Sequence, residues 1–142
     1  FEAATPLVVL PPVGAGGFRL LWNSRRPLPT PAAVNGLKFR TTTSPAEIAL
    51  IQAWNGSPTP LAWTETYNGL KNGLIDGMHV QPIWTYGFKM NEVLKHATET
   101  DAIFAVQFQV MNKNSFMAMP QPIRERFLLA AAGAAAEANA KD

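Results

Sequence analysis

Two arginines are the residues of this sequence best placed to bind an anion. Arg40 ends an apolar segment that reads GLKFR, and Arg19 follows two glycines in GGFR. A side chain at the carboxyl end of a strand in an α/β domain points toward the crevice where ligands bind. A guanidinium holds a carboxylate with two parallel charge-assisted hydrogen bonds, a geometry that lysine cannot reproduce. The two residues therefore predict a site for a small anion, with solvated surface charges as the plainer alternative.

Composition limits the class of partner. The chain has 142 residues, of which 47% are hydrophobic, and carries 12 Lys and Arg against 10 Asp and Glu. This composition is typical of one globular domain, whereas a nucleic-acid-binding protein normally shows a larger and more clustered positive excess. The small excess is concentrated at one end, with five basic side chains and one acidic side chain in the first 46 residues. An anionic small molecule is thus a better candidate than nucleic acid.

Few residues could form a catalytic centre or a metal site. The absence of cysteine excludes thiolate catalysis and Cys-based metal sites, and the sequence lacks the common nucleotide-binding, zinc-protease and serine-hydrolase motifs. His79 and His96 are not in metal-ligand spacing. Glu65 and Asp76 could pair as carboxylates, but a helix first turn for Glu65 and an Asp-Gly turn for Asp76 are the stronger interpretations. We expect no cofactor, and a small α/β enzyme using Asp76, His79 and Glu65 is the less favoured alternative.

Strong local signals predict the elements around the GLKFR segment. Gly36 precedes an alternating run typical of a strand. Ser44 then predicts a helix N-cap, with Pro45 at the first helical position and Glu47 completing a capping box. Gly56 predicts the end of this helix.

The following segments continue the alternation of strands and helices. SPTPLAW indicates a short strand whose prolines suit a sheet edge or the entry to a strand. Thr64 predicts the cap of a helix that ends at Gly73, and LIDGMHV indicates another extended segment. The segment PIWTYGFKMNEVLKHA has mixed, mainly helical periodicity. Strands and helices that alternate in this way are typical of an α/β unit.

The last third of the chain predicts a long strand and a long helix. AIFAVQFQVMN places Phe104, Val106, Phe108 and Val110 on one face of an extended segment. The final segment, PQPIRERFLLAAAGAAAEANAKD, has helical spacing with Ile123 on its apolar face.

A long ordered motif resembles a known family. The segment GLKFRTTTSPAEIALIQAWNGSPTPLAWTETYNGLKNGLIDG resembles the pattern G-[LM]-K-[FIL]-R … G-x-x-P-x-P-[ML]-x-[FW]-x-E-x-Y-x-x-L-x-x-G-x-[IV]-D-G of the DctP-type substrate-binding proteins of tripartite ATP-independent periplasmic (TRAP) transporters. The upstream GGFRLLWNSRRPLPTPAAVNGLK and the downstream EVLKHATETDAIFAVQFQVMNKNSFMAMP resemble the same family in the same order. The resemblance extends from about Gly16 to the C-terminal helix.

The resemblance implies both an architecture and a function. Members of the family are two-lobed periplasmic receptors that close on an organic acid and deliver it to a membrane permease. The implied fold is a periplasmic-binding-protein-like α/β lobe, with a mixed sheet flanked by helices and a long C-terminal helix. Residues 1–142 would form a single lobe of a longer receptor, and the chain would not be an enzyme. A periplasmic organic-acid sensor or scavenging module is the alternative with the same fold.

The resemblance also assigns ligand contacts. The family's main carboxylate-binding arginine falls on Arg40, and the arginine of its G-x-R element falls on Arg19. Its aromatic wall position falls on Trp63, and Thr43 matches a position that often supplies a polar ligand contact.

One further polar contact belongs just before a proline that follows the motif. Gln81 is our choice for it, with His79 and Val80 as the other candidates, because MHVQP is one residue longer than the usual form. Beside Trp63, the aromatic residues Trp84 and Phe88 could widen the apolar wall to suit an aromatic or branched acid, or they could pack in the core.

A lone lobe carries further expectations. Because these receptors bind between lobes, one lobe offers half a pocket and should bind ligand weakly by itself. It would also expose apolar faces that another lobe covers, which favours a homodimer of the fragment.

Overall fold

A computed structural model describes residues 5–140 as a mixed α/β fold. Within these residues the strands are β1 (Leu7–Val9), β2 (Val13–Asn23), β3 (Lys38–Thr41), β4 (Ser57–Pro60), β5 (Gly77–Val80), β6 (His96–Gln107) and β7 (Val110–Asn112). The α-helices in the same range are α1 (Pro45–Ala53), α2 (Trp63–Lys71), α3 (Pro82–Gly87), α4 (Lys113–Met117) and α5 (Gln121–Asn139). Short 3₁₀ turns cover Pro31–Val34 and Met90–Glu92.

The chain divides into two compact units. The sheet unit is Phe18–Phe104, and the second unit consists of the described parts of Phe1–Gly17 and Ala105–Asp142. The strands β2 and β6 run through the boundary. The prediction of a single lobe over residues 1–142 is not tested by this division and stays a prediction.

Five strands form a mixed sheet in the order β4-β3-β5-β2-β6. β3 pairs in parallel with β4 and with β5, whereas β2 pairs antiparallel to β5. The strand predicted for SPTPLAW lies at the edge of the sheet, where Pro58 and Pro60 need not donate to a further strand. The predicted mixed sheet, flanking helices and long C-terminal helix are confirmed.

Apolar side chains cover both faces of the sheet. On one face Phe39 and Leu21 pack with Ile51 of α1, and all three side chains are at most 2% exposed. On the other face Met78 packs with Leu70 of α2 and with residues that follow α3. The alternating strands therefore place α1 on one side and α2 and α3 on the other.

The helix predicted after Ser44 is confirmed, but its caps differ from the prediction. Ser44 makes no side-chain cap bond, and the Glu47 carboxylate accepts hydrogen bonds from Thr42 rather than from Ser44, so the capping box is wrong. At the other end Asn55 takes the left-handed conformation with φ 63°, while the Gly56 amide bonds to the Ile51 carbonyl at 2.9 Å. This is a Schellman arrangement with asparagine where glycine is usual.

Two further helix predictions need correction. Helix α2 begins at Trp63 with Ala62 as its N-cap, so Thr64 lies inside the first turn and does not cap it. The helical segment predicted after Pro82 stops at Gly87, because Lys89 takes a left-handed conformation with φ 55° that breaks the helical ladder. His96 belongs to β6 instead.

The Asp76-Gly77 pair does not form a turn. Gly77 is the first residue of β5 and pairs with Phe39 and with Asn23 in the middle of the sheet. Asp76 is buried and accepts hydrogen bonds from the Lys38 amide at 2.9 Å and from Arg25 Nε at 2.7 Å. The pair therefore fixes the start of a central strand.

The second unit is built from short elements and the long helix. β1 and β7 form an antiparallel pair, and the Asn139 side chain near the end of α5 bonds to Gly14 and Pro12. The predicted apolar face of α5 is wrong at Ile123, which is 51% exposed, whereas Ala135 is buried. The long extended segment is divided, because β6 ends at Gln107. Residues 141–142 of the predicted helix lie outside the described residues.

Several large apolar side chains are exposed near the end of β6 and beyond it. The set comprises Phe104, Val106, Phe108 and Val110. The exposure agrees with the expected apolar faces, but the homodimer stays a prediction.

Candidate functional site

A cleft opens in the sheet unit at the carboxyl ends of the parallel strands. Its volume is about 320 Å³, and it is lined by Arg19, Trp63, Val80, Gln81 and Trp84. Gln81 directly follows β5, while Trp63 begins the helix that follows β4. Because parallel strands end at the same edge of a sheet, these side chains come together although they are distant in sequence.

The Arg40 guanidinium lies beside the Trp63 indole, with its central carbon 5.5 Å from the ring centroid. Its Nε donates a hydrogen bond to the Leu61 carbonyl at 3.0 Å. Within residues 5–140 no carboxylate forms an ion pair with it, and the two terminal nitrogens make no hydrogen bond. Burial lowers the pKa of Arg40, an effect that the nearby Glu47 charge opposes, but arginine stays protonated. The two terminal NH₂ groups therefore remain available to an incoming carboxylate.

Arg19 has an internal counter-ion. Its Nη1 donates to Glu47 Oε1 at 2.7 Å, and both side chains are partly buried. The other carboxylate oxygen of Glu47 accepts from the Thr42 amide at 2.8 Å and from the Thr42 hydroxyl at 2.6 Å. One carboxylate thus ties the Arg19 side chain to the residue that follows β3.

These bonds keep Glu47 ionised. Burial alone would raise the pKa of Glu47, but the hydrogen bonds from Thr42 and Arg19, together with the Arg19 charge, lower it to about 2 from 4.5. Since the folded pKa is lower than the unfolded one, the ion pair stabilises the fold fully above pH 4.5. This stabilisation is lost as the pH falls from 4.5 toward 2.

Glu47→Gln should therefore lower the free energy of unfolding at neutral pH by about 2 kcal/mol. This is less than the full pKa shift of Glu47 would give, because solvent screens the partly exposed ion pair. The deficit relative to the wild type should shrink as the pH falls from 4.5 toward 2. Denaturant unfolding measured across this range checks it. Glu65→Gln, an exposed acid on α2, serves as the control. A Glu47→Gln deficit that stays constant across the range would contradict the assignment.

A small polar cavity of about 10 Å³ lies beside the cleft, and Arg19 lines both. Arg40 and Thr41 line the small cavity but not the cleft. Arg19 Nε and the Thr41 hydroxyl are buried and have no hydrogen-bond partner among residues 5–140. A buried polar group without a partner costs roughly 1–3 kcal/mol, so this corner suits a small oxygen-bearing group the size of a water molecule.

His79 contacts the backbone of Arg19 and the side chain of Thr100. Its Nε2 lies 3.3 Å from the Arg19 carbonyl and 3.2 Å from the Thr100 hydroxyl, and its ring packs edge-on against Trp54. Burial, followed by the Arg19 charge, lowers the pKa of His79 to about 4. The neutral imidazole therefore helps to hold the Arg19 backbone and adds no charge to the site near neutral pH.

Aromatic rings form one side of the cleft. Trp63 packs edge-on against Phe88 with centroids 5.2 Å apart, and Trp84 lies 5.8 Å from Phe88. Trp84 is 37% exposed and Phe88 is 46% exposed, so neither is a core residue. The structure groups the three rings that the sequence proposed as a wall.

The structure brings together most of the predicted contacts. Arg19, Trp63 and Gln81 line the cleft, and Arg40 and His79 line the small cavity. Thr43 is exposed and lines neither of these spaces. All six assignments as ligand contacts stay predictions.

The sequence reasoning missed Glu47 as the counter-ion of Arg19. The two residues are 28 positions apart, and an acid at the third position of a helix ordinarily signals a cap. Only the five basic side chains with a single acid before Glu47 could have suggested that this carboxylate had a cationic partner.

The residues of the alternative enzyme hypothesis do not form a catalytic arrangement. Asp76 is held by Lys38 and Arg25, and Glu65 is exposed on α2. His79 bonds to Arg19 and Thr100, not to either acid. Within residues 5–140 no three acidic or histidine side chains are grouped so that they could hold a metal ion.

Comparison with known proteins decides the family. Residues 4–141 match the DctP family, described as "Bacterial extracellular solute-binding protein, family 7". The chain belongs to this family. The resemblance to the DctP-type family that the sequence motif indicated is therefore confirmed.

Relatives and solved structures of DctP-family proteins show the same likeness. A solute-binding protein of Verminephrobacter eiseniae is 32% identical over 81% of this chain and 34% of its own length. The 2,3-diketo-L-gulonate-binding periplasmic protein YiaO of Escherichia coli is 35% identical over 70% of this chain and 30% of its own length. The crystal structure of a TRAP periplasmic solute-binding protein from Chromohalobacter salexigens with bound D-glucuronate is 30% identical and superposes with a TM-score of 0.92. It is matched over 98% of this chain and 46% of that one.

The chain spans about a third of the length of these two DctP-family relatives and under half of the solved structure. DctP-family solute-binding proteins are periplasmic. Across residues 5–140 no helix is both long and apolar enough to cross a membrane.

Proposed function

We propose that this chain is part of an extracytoplasmic solute receptor of a TRAP transporter, which binds an organic acid by its carboxylate and delivers it to the membrane permease in the periplasm. Residues 1–142 form part of a two-lobed receptor, and the other lobe completes the pocket. Support comes from family membership and from relatives named for 2,3-diketo-L-gulonate and for C4-dicarboxylates.

The observation that carries the proposal is the state of Arg40. Its guanidinium is partly buried and charged, and its Nε is used by the Leu61 carbonyl, which leaves both terminal nitrogens without a partner within residues 5–140. An arginine held by its Nε presents its two terminal nitrogens to the ligand. A carboxylate can accept two parallel hydrogen bonds from them. Because the guanidinium is already oriented, little side-chain entropy is lost on binding.

The other predicted residues complete the contact. Arg19, which lines both the small cavity and the cleft, is a second contact for the carboxylate. Trp63 and Gln81 contact the rest of the ligand, and Thr43 adds a polar contact after closure. His79 acts through Arg19, whose backbone it supports.

An acid and its neutral amide provide the sharpest test. In the two-lobed receptor that contains this chain, calorimetry should show at least one acid from a panel of succinate, D-glucuronate and phenylacetate binding about a hundredfold more tightly than its own amide. The reason is that the amide NH₂ cannot accept from the arginine fork. Failure of every acid to bind, or equal binding of the acid and amide, would contradict the proposal.

A sensor or scavenging receptor would bind the same acids through the same site. Uptake of the bound acid that depends on the permease separates transport from these alternatives. No feature of residues 5–140 favours either alternative over the TRAP receptor.

A further inference from the structure

Within the proposed receptor function, we infer that the ligand is a monocarboxylate with an aromatic or branched apolar body, and that Trp84 selects it. This inference rests on the proposed function and adds the charge and shape of the acid. Two features of the sheet unit support it independently, namely the balance of charges and the composition of the cleft wall.

The charges at the site leave one net positive charge. Arg19 and Arg40 are cationic, Glu47 is ionised and paired with Arg19, and His79 is neutral. The other residues that line the cleft are uncharged. One carboxylate therefore neutralises the charge that these residues contribute, and a second carboxylate would find no further cation among them. Burying an unpaired charge is strongly unfavourable.

The wall of the cleft is apolar and aromatic. Trp63, Trp84 and Val80 account for three of its five lining residues, and the polar ones are Arg19 and Gln81. One Arg19 nitrogen is already held by Glu47. A sugar acid needs a hydrogen-bond partner for each hydroxyl that it buries, and the hydroxyls that face this wall would meet only two polar side chains.

The exposed rings indicate where the apolar body lies. Trp84 and Phe88 are large, adjacent and substantially exposed, although aromatic rings of this size usually bury most of their surface. Trp84 lines the cleft, whereas Phe88 supports Trp63 from the side. An aromatic or branched ligand that contacts the Trp84 face would remove this apolar surface from water.

Calorimetry on the two-lobed receptor with three probes tests the inference. Phenylacetate should bind at least tenfold more tightly than succinate and D-glucuronate. Trp84→Ala should weaken phenylacetate binding about tenfold and change the affinity for the other two acids by less than twofold. Trp84→Phe, which keeps an aromatic face, should restore most of the affinity for phenylacetate.

Ile83→Ala is the matched control, because Ile83 is 61% exposed on the same helix and does not line the cleft. It should leave all affinities unchanged. Tighter binding of succinate or D-glucuronate than of phenylacetate would overturn the inference while leaving the receptor function intact. Equal loss of all three ligands in Trp84→Ala would also overturn it, and failure of all three acids to bind would remove the proposed function as well.

Discussion

Replacing Arg40 with alanine should weaken binding of the organic acid about a hundredfold in the two-lobed receptor. The guanidinium would supply two charge-assisted hydrogen bonds, a net contribution of roughly 1.5–3 kcal/mol. Its removal also deprives Trp63 of the cation that lies over its ring. Isothermal titration calorimetry with the tightest acid of the panel measures the loss.

Arg40→Lys separates charge from geometry. Lysine keeps the positive charge but presents a single ammonium group, which can neither form the two-nitrogen fork nor keep the bond from Nε to Leu61. We expect Arg40→Lys to lower the affinity for the acid about tenfold, which is a smaller loss than that expected for Arg40→Ala. If lysine restored full affinity, a point charge and not a fork would hold the ligand.

Arg26→Ala is the matched control for this pair of variants. The Arg26 guanidinium bonds to the Ala33 and Asn35 carbonyls and lines neither the cleft nor the small cavity. Its loss should leave ligand affinity within twofold. Unchanged affinity in Arg40→Ala, with the melting temperature preserved, would show that the carboxylate binds elsewhere.

Local chemistry explains which elements could be predicted from the sequence. The strand before Arg40 and the helix after Ser44 carry signals within a few residues, and the edge strand is marked by its prolines. The end of α2 at Gly73 is also local, since φ is 73° there and glycine adopts this conformation without strain.

Predictions failed where a distant partner decides the outcome. Glu47 looks like part of a capping box. In the structure one of its carboxylate oxygens accepts from Arg19 on β2, and the other accepts from Thr42. The break after α3 depends on Lys89, whose left-handed conformation has no sequence marker comparable to glycine. Tertiary contacts override local preference at such positions.

The candidate site shows the same division. The position of Arg40 near the end of β3 and the resemblance to a family were enough to predict that it lies near Trp63. Neither indicates that Arg19, and not Arg40, lines the larger cleft, because this depends on the packing of β2 beside β5. The same packing places the Arg40 guanidinium near that of Arg19. Glu47 neutralises Arg19, whereas Arg40 has no ion-pair partner within residues 5–140.

Gly77→Ala should cause a large loss of stability. A Cβ atom at this position would collide with the Trp22 carbonyl oxygen and lie 2.7 Å from Phe39 Cε1 and 3.0 Å from Asn23 Cβ. The first of these is backbone in a paired strand and the second belongs to a fully buried ring, so neither can move freely. We expect a loss of about 3 kcal/mol or more and a fall in melting temperature of about 10 °C.

Gly87→Ala is the control, because a Cβ atom at Gly87 meets nothing within 4 Å. It should change stability by no more than about 0.5 kcal/mol, since the residue ends α3 and alanine favours helix. Gly77 lies only three residues before Val80 in the strand that leads to Gln81, so forcing β5 away from β2 would also displace the cleft wall. Gly77→Ala should therefore weaken acid binding even in the fraction that stays folded. Equal melting temperatures for the two variants would show that the backbones of β2 and β5 do not approach as closely as this packing requires.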